Sequence, residues 1–213
     1  MALTALPVIG KQKSEDLCRA FIKGAPRNAK GVVLYGVNHT NVREFRKVLK
    51  SGVDWYAIDN SYFDSVRGLQ FRVAKNSFQV QGARGLTTDG KRFANLGLGL
   101  APWQDNPHGH WLAVEQSLAF MDCVARDPKW LENTVAHLPG TVKWRRWDGN
   151  KPKIQQSLPQ ALRGARGLVT YASAAAITAT LLGVPSIVSK ASALYGMHPD
   201  ERRSEEHTSE LQS

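Results

Sequence analysis

The period of apolar and polar positions changes several times along the chain. Val32 to Tyr35 is a short β-branched apolar run. Asn41 to Lys50 then carries Val42, Phe45, Val48 and Leu49 at i, i+3, i+6 and i+7 with its charges opposite, and Val53 to Ile58 is apolar again. This predicts strand, helix, strand, with a turn at Gly36-Val37-Asn38-His39-Thr40 and a helix ended by Ser51-Gly52. The order repeats near the end, where Leu168 to Tyr171 reads as a strand, Ala174 to Leu182 as a helix and Ile187-Val188 as the start of another strand. Gly183 stands where a helix C-terminus favours a left-handed residue, and Pro185 blocks continuation. Strands apolar at nearly every position belong in parallel sheets covered on both faces.

The remaining elements fall between these units. From Asp59 to Pro107 the pattern is less regular: FRVAKNSFQVQG alternates like a strand pair, and glycines at 82, 85, 90, 97 and 99 mark turns. WLAVEQS at 111–117 reads as a strand, PKWLENTVAHL at 128–138 as a helix opened by Pro128, TVKWRRW at 141–147 as a strand and SLPQALRGA at 157–165 as a short helix. The order β-α-β-α-β-α-β is that of a nucleotide-binding sheet. The expected fold is therefore α/β, with two Rossmann-like lobes and parallel sheets, divided at residues 1–107 and 108–202.

Residues 203–213, RSEEHTSELQS, are polar and without periodicity, and they match the translation of a common sequencing adapter. They are read as a non-native tail, with the natural chain running on past Arg202 and its C-terminal part missing. The tail sets Arg203 against Glu205, Glu206 and Glu210, so the whole-chain charge of +10 becomes +12 without it.

This excess invites a nucleic-acid reading. The cations are nevertheless spread along the chain, with no single basic helix, zinc-finger spacing or RNA-binding signature, and a phosphorylated or acidic ligand is the plainer partner. Cys18 and Cys123 are far apart and suggest neither disulfide framework nor metal site. No run approaches the roughly 18 apolar residues of a membrane span, and the first residues lack a secretory pattern, so the cytoplasm is expected. The absence of G-x-G-x-x-G and G-K-[ST] loops argues against a nicotinamide enzyme or a P-loop NTPase.

The segment ALRGARGLVTYASAAAITATLLGVPSIV resembles the C-terminal, nucleotide-sugar half of two-lobed (GT-B) glycosyltransferases, in which a strand ends at a small-residue turn, a helix follows and a Gly-x-Pro stretch closes it. The wider layout resembles glycosyltransferase-like proteins of bacteriophages, through GVVLYG, YAIDNSYF at 56–63, FRVAKN at 71–76, RRWDGNKPK and the Ser-Ala-Ala helix start. It covers most of residues 30–190. It departs from the family in lacking a Glu in helix 174–182, where many sugar-nucleotide enzymes hold the ribose.

The resemblance implies transfer of a sugar from a nucleotide-sugar donor to a glycan or a modified DNA base, with no metal and no cofactor, in the host cytoplasm. A departing diphosphate gains negative charge, which positive groups and N–H dipoles stabilise. The candidates are Arg145, Lys151 and Lys153 after one strand, and Ser173 and Ala174 at the helix start, with Tyr171 as a stacking surface. An acceptor hydroxyl needs a general base, and His39 and Asp59 occupy strand ends in the first half. Each has a plainer alternative: Ser173 as a simple helix cap, His39 as a turn residue, Asp59 as a cap and Arg145 as half solvated. A non-catalytic nucleotide- or nucleic-acid-binding protein is the competing function.

Overall fold

The computed structural model describes residues 2–62, 70–79, 95, 97–125, 127–146 and 156–196. The chain forms two compact units, residues 1–85 with 117–125, and residues 86–116 with 126–213. Both are α/β. This division differs from the 107/108 boundary read from the sequence: the first unit stops at residue 85 and takes in residues 117–125 from further along the chain.

The first unit contains β1 (Leu3–Ala5), α1 (Gln12–Gly24), β2 (Gly31–Tyr35), α2 (Val42–Ser51), β3 (Trp55–Asn60) and β4 (Phe71–Lys75), joined by α3 (Leu118–Val124). Its sheet has the order β1-β2-β3-β4, the first three parallel and β4 antiparallel to β3. The expected strand pair within FRVAKNSFQVQG is thus corrected for its described part. Asn76 turns the chain with φ 53 at the end of β4, and β4 pairs with β3.

Alternation sorts the first sheet's residues between two faces. Val33, Tyr56 and Ile58 pack with Leu17, Cys18, Phe21 and Ile22 of α1. Val32, Leu34, Trp55 and Ala57 pack with Phe45 and Val48 of α2, together with Phe78 and Cys123. Arg46 of α2 pairs with Asp122 of α3 at 3.1 Å. The steps β1 to β2 and β2 to β3 run the same way across the sheet, yet their helices lie on opposite faces. The two crossovers therefore have opposite hands, and one is left-handed, against a strong general preference.

The second unit is wound differently. It contains β5 (His110–Val114), α4 (Trp130–Ala136), β6 (Val142–Arg145), α5 (Leu158–Ala161), β7 (Ala165–Thr170), α6 (Ala175–Leu181) and β8 (Ser186–Val188). All four strands are parallel, in the order β6-β5-β7-β8. Trp111, Ala113 and Val169 face α4, whereas Leu112, Val114 and Leu168 face α5 and α6. The step to β6 runs one way with its helix on one face, and the steps to β7 and β8 run the other way with helices on the opposite face. All share one hand, so this is a doubly wound, Rossmann-like sheet.

Local chemistry fixes several boundaries. Ser157 and Gln160 form a reciprocal capping box at the start of α5. Pro128 precedes α4, which starts at Trp130, so the sequence places that start too early. At the far end of α6, the segment before β5 covers the last carbonyls: the amides of Ala101 and Gln104 donate to Leu181 O (2.9 Å) and Gly183 O (2.7 Å), and Gln104 Nε2 donates to Leu182 O (2.7 Å). Gly183 has φ +72, and a Cβ there would lie 2.0 Å from Pro102 O. Both the left-handed turn and the close strap require glycine.

Gly183→Ala is accordingly expected to cost roughly 2–4 kcal/mol, from left-handed strain and overpacking together. Gly140→Ala, with φ +89 but nothing within 4 Å of the added carbon, is expected to cost only about 1–2 kcal/mol. Urea unfolding of the two variants checks the difference, and equal losses would remove the strap from the explanation.

Candidate functional site

In the second sheet β5 is the first strand in sequence and lies inside the sheet, with β6 on one side and β7 on the other. The connections leaving β5 and β7 run in opposite directions, which opens a crevice beyond their carboxyl ends, the usual ligand position in open α/β sheets. Glu115, Gln116 and Ser117 follow β5, and Tyr171 to Ala174 follow β7.

These strand ends are laced together. Thr170, fully buried, donates its hydroxyl to Val114 O at 2.8 Å, as burial of that group requires. Gln116 Oε1 accepts from the amide of Ala172 at 2.8 Å, bridging the loops on either side of the crevice. The amide of Glu115 donates to Arg145 O (3.1 Å), and that of Ser189, after β8, to Tyr171 O (3.0 Å). Arg146 Nη1 donates to Glu115 Oε1 at 2.8 Å, with its guanidinium 4.7 Å from the centre of the Trp144 ring. All four strand ends are thereby tied into one rim.

The residues singled out from the sequence fare differently. Arg145 ends β6 and donates Nη1 to Gln156 O at 2.8 Å. Lys151 and Lys153 lie outside the described residues. Tyr171 is 7 % exposed and meets Trp130 of α4 edge to face at 5.7 Å, so its ring serves packing instead of offering a stacking surface. Ser173 Oγ accepts from the amide of Ala175 at 3.2 Å, and Ala174, the residue before the helix proper, already has helical dihedrals. A serine oxygen that closes onto the amide two residues ahead is a capping contact, so the plain capping role is the one this serine performs. One first-turn donor is thus used internally, while the amides of Ser173 and Ala174 have no partner among the described residues.

His39 and Asp59 lie at the carboxyl edge of the first sheet. His39 is exposed in the β2–α2 loop, which Asn41 anchors by accepting from the amide of Asn38 (3.0 Å) and donating to Gly36 O (3.2 Å) and Leu6 O (3.4 Å). Asp59 faces Arg72 across the β3–β4 register and forms an ion pair with it. The Arg72 side chain is 10 % exposed and lies 4.0 Å over the Tyr62 ring, and its Nε and Nη1 are buried without a hydrogen-bond partner among the described residues. Asp59 is therefore committed to neutralising a largely buried cation, a different task from an unencumbered general base. Tyr62 takes part in this cluster, Trp103 is 46 % exposed, and Phe63 lies outside the described residues.

Gln116 and Ser189 were not singled out from the sequence. Their signal was a polar residue within two positions of the end of an apolar run, obscured for Gln116 by extending WLAVEQS as a strand to Ser117, whereas β5 ends at Val114. Burial pushes the Cys18 and Cys123 thiols above their ordinary value, and Cys18 Sγ lies 3.6 Å from Val33 O in the core. Two shallow grooves flank β1, lined by Pro7, Glu15 and Arg19 on one side and by Leu6, Glu44 and Lys47 on the other, but Glu44 and Lys47 satisfy each other there.

Replacing Asp59 by Asn should destabilise the protein by about 1–3 kcal/mol, since Arg72 loses its charge partner while staying buried. Urea unfolding measures it, and a loss within the ±0.5 kcal/mol typical of surface changes would show that Asp59 is not needed for stability.

Compared with protein-family models, with curated proteins and with solved structures, the chain matches none.

Proposed function

We propose that the second unit binds a nucleoside diphosphate at the crevice beyond β5 and β7, and that the protein is a two-lobed glycosyltransferase taking a nucleotide sugar as donor. The observation that carries this reading is the strand order β6-β5-β7-β8 with helices of one hand on both faces, which makes the β5/β7 junction a topological switch point. The groups around that junction suit a departing diphosphate: Gln116 and the free amides of Ser173 and Ala174, with Arg145 and Arg146 on the neighbouring strand end. Their work is electrostatic, holding N–H groups and positive charge where negative charge develops on the leaving oxygen. Neither Tyr171 nor the Ser173 hydroxyl has a direct part in it.

An acceptor hydroxyl also requires a general base. His39 is the better candidate, because its ring is exposed and has no hydrogen-bond partner among the described residues, while Asp59 is held by Arg72. A glycan and a modified DNA base are both chemically suitable acceptors.

A second reading has its own observation. Lys23, Arg27, Lys30 and Lys50 collect at the amino edge of the first sheet, where the helix-to-strand connections lie, and none has an acidic partner among the described residues. That favours a phosphate-backbone contact in a nucleic-acid-binding protein.

Thermal unfolding against UDP, GDP, CDP, ADP and dTDP separates the two. At about 100 times its dissociation constant, a bound diphosphate is expected to add roughly 2.7 kcal/mol. Stabilisation by none of them, with a salt-sensitive stabilisation by duplex DNA, would replace sugar transfer by the nucleic-acid reading.

A further inference from the structure

The bridge between Gln116 and Ala172 settles more than loop geometry. Its donor is a backbone N–H, so the side-chain atom that accepts must be the amide oxygen, and the Gln116 amide cannot be flipped without placing two donors against each other. The orientation leaves Nε2 with two N–H donors and no partner among the described residues. Gln116 is only partly buried, and it stands between the ends of β5 and β7, so these donors belong to the crevice. A residue serving only to tie two loops would be complete with its oxygen. Here the tie also fixes a second, opposite group in place.

We infer that Gln116 is the residue that reads the ligand's phosphate: its oxygen is locked by Ala172 so that its Nε2 donates to a diphosphate oxygen. This deepens the proposed nucleotide site and rests on that reading. A diphosphate is the class favoured because the other backbone amides without a partner among the described residues at this junction, those of Ser173 and Ala174, are donors too, and two arginines stand on the neighbouring strand end. The amides of Ser173 and Ala174 follow β7, and Arg145 and Arg146 follow β6, the strand beside β5. Glu115, the carboxylate at this junction, is already held by Arg146. The arrangement costs little at the moment of binding, because the side chain is already ordered by its own bridge.

The substitution Gln116→Glu isolates the role. A glutamate keeps an oxygen for the Ala172 amide, so the loop tie and the unligated unfolding temperature should survive, while the donor is replaced by a negatively charged acceptor. Binding is measured by calorimetry on the full chain with UDP, GDP, ADP and inorganic pyrophosphate. The diphosphate that binds the wild type should lose about tenfold to a hundredfold in affinity with Gln116→Glu. The corresponding nucleoside, without phosphates, should bind both proteins alike.

Wild-type binding with undiminished affinity in Gln116→Glu overturns the inference and leaves the nucleotide site standing. No binding of any probe to the wild type overturns the site itself, and the inference with it. Should Gln116→Glu unfold at a lower temperature than the wild type, the wild-type side chain is followed instead. Its Nε2 resonances, assigned by their loss in Gln116→Met, should shift and gain protection from exchange when the diphosphate is added. Unchanged Nε2 signals in a protein that binds would likewise overturn the inference.

Discussion

Burial of β7 on both faces is the constraint around which the second unit is arranged. Ala165, Leu168, Val169 and Thr170 are 0 % exposed, so every backbone polar group of that strand needs a partner inside the protein. Parallel pairing to β5 on one side and β8 on the other supplies it. Close packing then sets the details. A Cβ on Gly167 would come within 2.4 Å of the Trp111 ring, so glycine is what lets the tryptophan lie across the strand. The Thr170 hydroxyl, with no water to reach, goes to Val114 O and locks the ends of β5 and β7 together. The same tie holds the two loops of the candidate site at a fixed separation.

Winding, more than composition, distinguishes the two units. Both are α/β with parallel strands, but in the second the connections diverge from β5 and β7, whereas in the first β1, β2 and β3 follow one another in sequence order. A sheet whose strands advance in one direction has no diverging connections among them and so opens no such crevice. The polar groups at the first sheet's carboxyl edge are instead spent on structure: Asn41 fixes the loop after β2, Ser14 links the Val8 amide to Tyr35 O, and Asp59 neutralises Arg72. His39, at the same edge, is exposed.

How much of this was legible beforehand depended on whether an element carried its own punctuation. The β7–α6–β8 unit was readable because Gly183 and Pro185 mark its turn, and α2 because its apolar stripe is regular and Gly52 ends it. β1, α1 and α3 were not readable. β1 has three residues, too few for a period. Leu17, Cys18, Phe21 and Ile22 do form a stripe on α1, but it lies among charges and without a strong start or stop signal. α3 begins directly after a strand whose end was misplaced. The role of Tyr171 was misread for a related reason: a strand-end aromatic looks alike in sequence whether it faces a ligand or, as here, a helix. Pairings such as Asp59 with Arg72 and Gln116 with Ala172 join residues 13 and 56 positions apart and come from topology, which periodicity does not encode.

The claim on which the functional account stands is that the β5/β7 switch point is where a ligand sits. Hydrogen–deuterium exchange with and without saturating nucleoside diphosphate tests it at peptide resolution. The account predicts protection in peptides covering residues 110–117 and 165–175, with those covering 23–30 and 36–41 unchanged. Protection confined to the first unit, leaving both switch-point loops exchanging as before, would contradict it.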